Sequence, residues 1–512
     1  MSDGPGGLTG RTISGVLWTS WGKGGHVALN LLTLVVLARL LSPREFGTVS
    51  AALVLVEFSS IFSRLGLGPA VVQRRELEPR HLKVAFTGSL ILGLAVGVLI
   101  WLLAGQAASF FRNAQVADVL RALAWVFPLK GVSAVAEALL LRDLRFRWLA
   151  NLDVATFAFG QLCVAIPLAY LGFGVWSLVA GTITQTLVRS GFLLLVRRPP
   201  GLGLERQAFG EMLHFGAGFT IARLANLLAL QGDNLVVGRW LGPAALGLYG
   251  RAYGLMSAPA SALGKVLDDV LFPTMARVQD DPVRLGLAYR RGVALIALVA
   301  LPASIGMVIL APELVRVALG ERWVAATVPF QVLAAGTLFR TSYKMSDSLA
   351  RSTGVVYSRA RRQILYAAMV IGGALVGQRW GITGVAVGVL VALVANFLSM
   401  AQLSLSVCGM SWTSFGQAHR ASVLLASAVG GSAWLGVTAA RALHAPSLAV
   451  ILIALTSGCA IGLWLIRLSP ATFLGADGVW AISTITGYAR RRFRGRGRRA
   501  TEASGAAPMP LS

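Results

Sequence analysis

The sequence predicts an all-α polytopic membrane protein, and three observations support that class. The chain of 512 residues is 56% hydrophobic and only 13% charged, which is too apolar for a water-soluble globule. Many of its apolar segments reach about 20 residues, the length that spans a bilayer as a helix. Polar residues also recur 200 positions apart within those segments, which indicates a duplicated architecture.

The apolar segments predict about fourteen transmembrane helices. Helices are the expected spanning form because lipid cannot satisfy free backbone N–H and C=O groups, and the segments lack the alternating pattern of a membrane barrel. The first segment is long enough to span and lacks the features of a signal peptide, so we expect it to be retained. The predicted helices lie near 13–37, 46–70, 84–105, 117–140, 151–171, 175–196, 213–238, 246–273, 289–311, 325–350, 363–378, 382–407, 420–440 and 447–467.

The distribution of basic residues predicts the orientation in the membrane. Connections after even-numbered helices carry 19 lysines and arginines, whereas connections after odd-numbered helices carry 9. Cytoplasmic loops are enriched in these residues, so we place the richer set and both termini in the cytoplasm. The Arg-rich tail 488–512 is predicted to be disordered and to lie on anionic lipid headgroups. We expect no nucleic-acid partner, because the tail has little aromatic interleaving.

The repeat predicts two lobes. Lys130 and Glu137 of the fourth predicted helix are matched 210 positions later by Arg340 and Asp347 of the tenth. Six helices per unit is an even number, so both units enter the membrane in the same direction, as in a parallel repeat with a pseudo-twofold axis along the membrane normal. The predicted parts are a cytoplasmic N-terminus 1–12, an N-lobe 13–198, a C-lobe 211–407, two further helices in 420–467, and the tail 488–512.

The match at 200 positions includes two corners. The stretches LARLLSPREFG (37–47) and VGRWLGPAALG (237–247) align without a gap. In the first, Ser42 is a predicted N-cap, Pro43 the first helical residue and Glu45 the third, which together begin a new helix. Gly242-Pro243 predicts the same turn in the second stretch. We interpret both as structural corners, not as ligand sites.

Charged residues inside the predicted helices fall on single helical faces. An ionised group that faces lipid costs roughly 2.5–3.5 kcal/mol, so such groups are expected to face the bundle interior or a wet cavity. Near mid-helix, two repeat-related pairs would form a cationic ring between the lobes, and their ammonium and guanidinium groups suit a phosphate ligand. The predicted substrate-binding residues, these four first, are Lys23, Lys130, Arg223, Arg340, Lys344, Arg64 and Arg251.

Four carboxylates in the same helices are candidates for coupling a proton or a sodium ion to transport. They are Asp233, Glu57, Glu137 and Asp347. The alternative for three of them is a structural ion pair, with Arg64 for Glu57, Lys130 for Glu137 and Arg340 for Asp347. No cofactor or metal site is predicted, because the three cysteines show no metal-ligand spacing.

The stretch LARLLSPREFGTVSAALVLVEFSSIFSRLGLGPAVVQRREL (37–77) resembles the first two helices of Wzx-type polysaccharide flippases, most of all the colanic-acid exporters. These proteins belong to the multidrug/oligosaccharidyl-lipid/polysaccharide exporter superfamily and serve lipopolysaccharide or exopolysaccharide biosynthesis. The resemblance extends over about residues 11–407. Further stretches that fit are LLLRDLRFRWLANLD (139–153), GFGVWSLVAG (172–181), QGDNLVVGRWLGPAALGLYGRAYGL (231–255) and VLFPTMARVQ (270–279).

The resemblance implies a function. Family members have two six-helix lobes around a central cavity and move undecaprenyl-pyrophosphate-linked oligosaccharides to the outer leaflet by alternating access. Related lipid flippases use basic cavity residues for the pyrophosphate, a role that Lys23, Arg223 and Arg340 match here. We therefore expect a transporter and no enzymatic activity, with membrane lipids, a polysaccharide polymerase and other assembly proteins as partners. The alternatives are a drug exporter of the same superfamily, a membrane glycosyltransferase or polymerase of the same pathway, and a passive scaffold.

Overall fold

The regular elements of this protein are helices throughout the part that the structure describes. A computed structural model covers residues 29–64, 67–74, 76–203, 205, 224 and 226–483, without the side chains of 64, 261–274 and 356. Nine helical segments among these residues are long and apolar enough to cross a membrane. The predicted all-α membrane class is therefore confirmed, while the count of fourteen helices and the repeat stay predictions.

The first helix group occupies residues 29–196. Its helices pack mainly on one another, with α4 against α6 and α6 against α8. A π-helical turn, Phe159–Ala165, interrupts α7. The bounds are α1 Leu29–Leu40, α2 Pro43–Arg64, α3 Leu67–Gln73, α4 Pro79–Phe111, α5 Gln115–Leu123, α6 Val126–Arg142, α7 Phe146–Tyr170 and α8 Val175–Val196.

The second helix group occupies residues 226–408. The bounds are α9 226–241, which ends in the π-helical turn Val237–Leu241, α10 Pro243–Arg277, α11 Pro282–Ile309, α12 Ala311–Ala318, α13 Thr327–Ala335, α14 Thr337–Ser352, α15 Val356–Gly377 and α16 Gly381–Cys408, with short 3-10 turns at Glu321–Ala326 and Gln378–Trp380. Within this group α10 and α11 both pack on α14, and α15 packs along α16. The α15–α16 contact is close because Gly373 faces Gly388 and Gly377 faces Gly384, so the two backbones touch.

Two longer helices follow and pack on the second group. They are α17 Trp412–Ala442 and α18 Ser447–Leu468, and the short helices α19 Pro470–Phe473 and α20 475–483 come after them. Helix α17 lies along α11. At one end of α17, Arg441 donates to both carboxylate oxygens of Glu313, at 2.8 and 2.9 Å. At the other end of the bundle, Asp477 of α20 accepts from Arg290 at 3.0 Å. Ion pairs at both ends therefore attach these helices to the second group.

The two predicted corners are present. The Ser42 backbone N–H and hydroxyl both donate to Glu45 Oε2 at 2.7 Å, and the Glu45 N–H donates to the Ser42 hydroxyl at 3.4 Å. This is a reciprocal capping box, and α2 begins at Pro43. Gly242, with a φ of 88°, provides the corresponding turn before Pro243 begins α10.

The corners also hold the two helix groups together. Helices α2 and α10 cross where Gly47 lies against the carbonyl of Pro243 and Gly247 lies against the carbonyl of Pro43. A Cβ built on Gly47 would overlap the Pro243 carbonyl oxygen and lie 2.6 Å from its carbon, and a Cβ on Gly247 would lie 2.7 Å from the carbon of Pro43. Each motif therefore contacts the proline of the other, as expected around a twofold axis.

Hydrogen bonds between the groups surround this crossing, at what we call the corner end of the molecule. Arg39 donates to the Val317 carbonyl at 2.8 Å, and Arg239 donates to the Phe110 carbonyl at 2.9 Å. Each arginine thus leaves its own group and satisfies a carbonyl near the C-terminus of a helix in the other, where backbone acceptors lack partners. The indole N–H of the fully buried Trp323 donates to the Ala38 carbonyl at 2.8 Å.

Candidate functional site

Two of the predicted cations lie at similar distances from the corner end. Lys130 follows the start of α5 by 15 residues, and Arg340 follows the start of α13 by 13 residues. At 1.5 Å per residue these positions are about 22 and 20 Å from the corner end, so a hydrocarbon core about 30 Å thick that begins near that end would contain both. Both side chains are partly exposed, which is expected for cations that face a space between helices.

Arg340 lies over an aromatic ring. Its guanidinium carbon is 4.7 Å from the ring centre of Tyr253, and Tyr343 and Tyr366 are close enough to interact with its charge. Among the described residues, no carboxylate is within ion-pair distance of Arg340. The guanidinium is thus held by aromatic faces and retains free donors for an anionic ligand.

Arg251 joins the two helix groups. Its guanidinium carbon lies 4.2 Å above the ring centre of Phe46 on α2. Within the described part of the chain it has no carboxylate at ion-pair distance either. It follows the start of α10 by 8 residues, so it lies about 12 Å from the corner end and nearer to that end than Lys130 and Arg340.

Of the remaining predicted cations, only Lys344 has a described side chain. Lys344 lies one turn beyond Arg340 on α14 and is partly exposed. Arg64 is the last residue of α2, and its side chain is outside the description. Lys23 and Arg223 lie outside the described residues, and the cationic ring as a whole remains a prediction.

Two of the predicted coupling carboxylates form ion pairs with arginines. Arg189 of α8 donates to both oxygens of Glu137, at 3.0 and 3.2 Å, and to Asp153 at 2.7 Å. Asp347 pairs with Arg351 at 3.2 Å and with Arg359. Structural ion pairs therefore exist for both carboxylates, and arginines of neighbouring positions in the fold form them.

Asp233 has a different environment. It is 1% exposed on α9, accepts from the Tyr249 hydroxyl at 2.7 Å, and forms no ion pair among the described residues. Tyr249 is followed by Tyr253 with ring centres 6.3 Å apart, and Tyr253 carries Arg340 on its face. Two buried residues, Asp233 and Tyr249, are thus linked through Tyr253 to the partly exposed Arg340 within the second helix group.

Glu57 lies between the two groups. It is exposed on α2, and one of its oxygens accepts from the Gln231 side chain of α9 at 2.9 Å. Its predicted partner Arg64 has no described side chain.

The aromatic part of the site is not among the residues predicted from the sequence. Tyr249, Tyr253, Tyr343 and Tyr366 lie on three different helices, and only the fold brings them together around Arg340. A usable signal existed, because six of the eight tyrosines in the chain fall between residues 249 and 366. Gln231 was also missed, since a lone amide near the end of a helix has no distinctive spacing.

These features define a multi-pass membrane protein in which two helix groups enclose cationic side chains at mid-depth. Residues 36–328, more than half of the chain, match the family model described as "polysaccharide biosynthesis protein". The chain belongs to that family, and the predicted resemblance to polysaccharide flippases is confirmed.

Individual proteins similar to this chain support the same family. The chain is 25% identical over 419 residues to the lipopolysaccharide biosynthesis protein WzxC of Escherichia coli (strain K12), covering 80% of this chain and 84% of the relative. It is 30% identical over 329 residues to the succinoglycan biosynthesis transport protein ExoT of Rhizobium meliloti (strain 1021), covering 64% and 66%. Its fold is similar to that of the lipid II flippase MurJ in an inward closed conformation, with a TM-score of 0.73 at 13% identity over 88% of this chain and 99% of that one.

Proposed function

We propose that this protein is a flippase that moves an undecaprenyl-pyrophosphate-linked oligosaccharide from the cytoplasmic to the periplasmic leaflet of a bacterial inner membrane. The proposal puts both termini in the cytoplasm, as the distribution of basic residues predicts. The observation that carries the proposal is the pair Lys130 and Arg340, two partly exposed cations at equal depth between helix groups of a polysaccharide biosynthesis protein. A pyrophosphate is the part of such a substrate that needs cations, and the apolar tail can stay in the bilayer.

Transport then requires the two helix groups to separate at one end at a time. The corner end is closed in this structure by the Gly47–Pro243 and Gly247–Pro43 crossing. Opening the corner end while the opposite end closes would pass the pyrophosphate and its sugars outward along the cations. Lys23 and Arg223 are proposed to complete the ring. Polysaccharide polymerases and other assembly proteins are the proposed partners on the product side.

Asp233 is the proposed coupling residue among the four candidate carboxylates. Glu137 and Asp347 are neutralised by arginines, and Glu57 is exposed, whereas Asp233 is buried beside Tyr249 and has no ion pair in the described part of the chain. A carboxylate in that position can gain and lose a proton, or accept a sodium ion, as access changes between the two sides. Replacement by asparagine removes that capacity while keeping the hydrogen bond to Tyr249. We expect Asp233→Asn to abolish the dependence of transport on a proton or sodium gradient.

A reconstituted flipping assay tests the function. Lipid-linked oligosaccharide is incorporated into proteoliposomes, and its appearance in the outer leaflet is measured with an impermeant sugar-modifying reagent. Lys130→Gln and Arg340→Gln are expected to slow flipping at least tenfold, whereas Arg379→Gln, an exposed arginine at the α15–α16 connection, is expected to flip at the wild-type rate. Wild-type flipping by both cavity variants would refute the cationic site.

The same assay separates the alternatives. A drug exporter would move cationic dyes and leave lipid-linked sugar in place. A glycosyltransferase or polymerase would change the length of the glycan, and a scaffold would produce neither effect. We propose transport without catalysis, since the relatives named above are a biosynthesis protein and a transport protein of polysaccharide pathways and the site presents cations and amides.

A further inference from the structure

One hydrogen bond crosses between the helix groups well below the corner end. The Gln231 amide of α9 donates to Glu57 of α2 at 2.9 Å, and the Asn234 amide donates to the Gln231 oxygen at 2.6 Å. No lysine, arginine or histidine nitrogen lies within ion-pair distance of Glu57 among the described residues. The carboxylate therefore keeps acceptor sites that neither a cation nor the Gln231 amide occupies.

The position of Glu57 requires an aqueous surrounding. It lies 14 residues after the start of α2, about 21 Å from the corner end, at the depth of Lys130 and Arg340. The side chain is exposed, and an exposed carboxylate at that depth cannot face lipid without a cost of a few kcal/mol. Glu57 and its amide partners therefore face the space between the helix groups.

A second amide pair extends the same polar wall. Gln363 of α15 donates to Asn226 of α9 at 3.4 Å, and Asn226 is exposed. Helix α9 thus carries Asn226, Gln231 and Asn234 within about two and a half turns, at or between the depths of the cations and the corner end. This set provides carboxylate acceptors and amide groups that both donate and accept, which suits a hydroxyl-rich ligand, whereas the negative charge of Glu57 repels a pyrophosphate.

We propose that Glu57, Gln231 and Asn234 form the subsite for sugar hydroxyls of the lipid-linked glycan, beside the cations that hold its pyrophosphate. This inference rests on the proposed function. It assigns Glu57 to recognition and not to ion coupling. A sugar hydroxyl that donates to Glu57, or accepts from Gln231, replaces the bond between α2 and α9. Occupation by a glycan thus removes a contact that joins the two helix groups, and it links recognition of the sugar to their separation.

Binding measurements with two ligands test the subsite. The full-length protein in lipid nanodiscs is titrated with undecaprenyl pyrophosphate, which has no sugar, and with undecaprenyl-pyrophosphate-linked oligosaccharide extracted from cells that lack the polymerase. We expect Gln231→Ala to weaken binding of the glycan-bearing ligand about tenfold, the effect of losing one hydrogen bond to the sugar, and to leave binding of undecaprenyl pyrophosphate unchanged. Gln402→Ala, which removes an exposed amide from α16, is the matched control and should change neither.

A second, more conservative variant tests the subsite in case Gln231→Ala misfolds. Glu57→Gln keeps the size of the side chain but loses the carboxylate, and we expect the same selective loss of affinity for the glycan-bearing ligand. Equal loss for both ligands, or no loss for the glycan-bearing one in either variant, would overturn the subsite. If the wild-type protein binds neither ligand, the proposed function itself fails, and that outcome is distinct from failure of the subsite.

Discussion

Substituting Gly47 by alanine tests whether the corner crossing closes one end of the protein. The added Cβ would overlap the Pro243 carbonyl oxygen and lie 2.6 Å from its carbon. Carbon atoms in contact are about 3.5–4.0 Å apart, so α2 and α10 must separate locally by about 1 Å or more. Both partners are backbone, and no side-chain rotation can relieve the overlap.

The expected effect is a shift in the population of states. Overpacking of this kind costs about 1–3 kcal/mol. If the cost falls only on the state closed at the corner end, the ratio of the open population to the closed population rises by about 5- to 150-fold. We expect Gly247→Ala to have the same effect, because its Cβ would meet the Pro43 carbonyl.

Spin-label distances provide the assay. The three native cysteines are replaced by serine, labels are attached at Gln115→Cys and Arg322→Cys, which are exposed near the corner end in different helix groups, and distances are measured by pulsed electron paramagnetic resonance. Gly47→Ala should add or enlarge a population at longer distance. Gly250→Ala is the control, because its Cβ would meet no atom within 4 Å and it lies one turn from Gly247 on α10. Identical distance distributions for Gly47→Ala and Gly250→Ala would refute the argument.

Three further outcomes follow from the ion pairs and hydrogen bonds. Arg189→Leu leaves Glu137 and Asp153 without their shared partner and should lower the free energy of unfolding by about 1–3 kcal/mol in thermal denaturation. Arg121→Leu removes an exposed pair with Asp118 and should change that free energy by less than about 0.5 kcal/mol. Similar values for the two variants would contradict a structural role for Arg189. Arg441→Gln removes the cation that compensates the negative charge of Glu313, whose side chain is only 6% exposed. We expect faster proteolysis at the 443–446 connection. Unchanged cleavage would show that this ion pair does not help to hold α17. Trp323→Phe removes the bond to the Ala38 carbonyl and should enlarge the long-distance population in the same spin-label pair by about fivefold; no change would show that this bond does not help to close the corner end.

Most helix positions were predictable from apolar length, and the deviations have a physical cause. The prediction 175–196 coincides with α8, Val175–Val196. The prediction 84–105 underestimates α4, which runs from Pro79 to Phe111, because a rule based on apolarity stops at Arg80 and Lys83 while the backbone continues through them. The single helix predicted at 325–350 is divided at Gly336.

The site was predictable as a set of charges but not as a set of contacts. Lys130 and Arg340 were identified because a cation in an apolar helix is costly unless it has a polar surrounding. Their partners were not identifiable, since Arg340 is held by tyrosines of neighbouring helices and Glu137 by Arg189, a residue 52 positions away. Sequence spacing reports neighbours on one helix, whereas crossing helices bring together residues without any fixed spacing.

Some matched positions of the two helix groups make similar contacts, whereas Asp233 has surroundings that its matched position lacks. Gly47 and Gly247 make reciprocal contacts, and Glu137 and Asp347 are both neutralised by arginines, so the repeat-related positions preserve packing and charge balance. The cluster around Asp233 has no such counterpart. Two hundred positions earlier the chain has Thr33, whose buried hydroxyl has no hydrogen-bond partner within the described residues, and Val49 stands where Tyr249 would correspond. A group that gains and loses charge during transport is needed only once. The asymmetry therefore supports the proposal that Asp233 is the coupling residue, whereas the reciprocal contacts of Gly47 and Gly247 close the corner end.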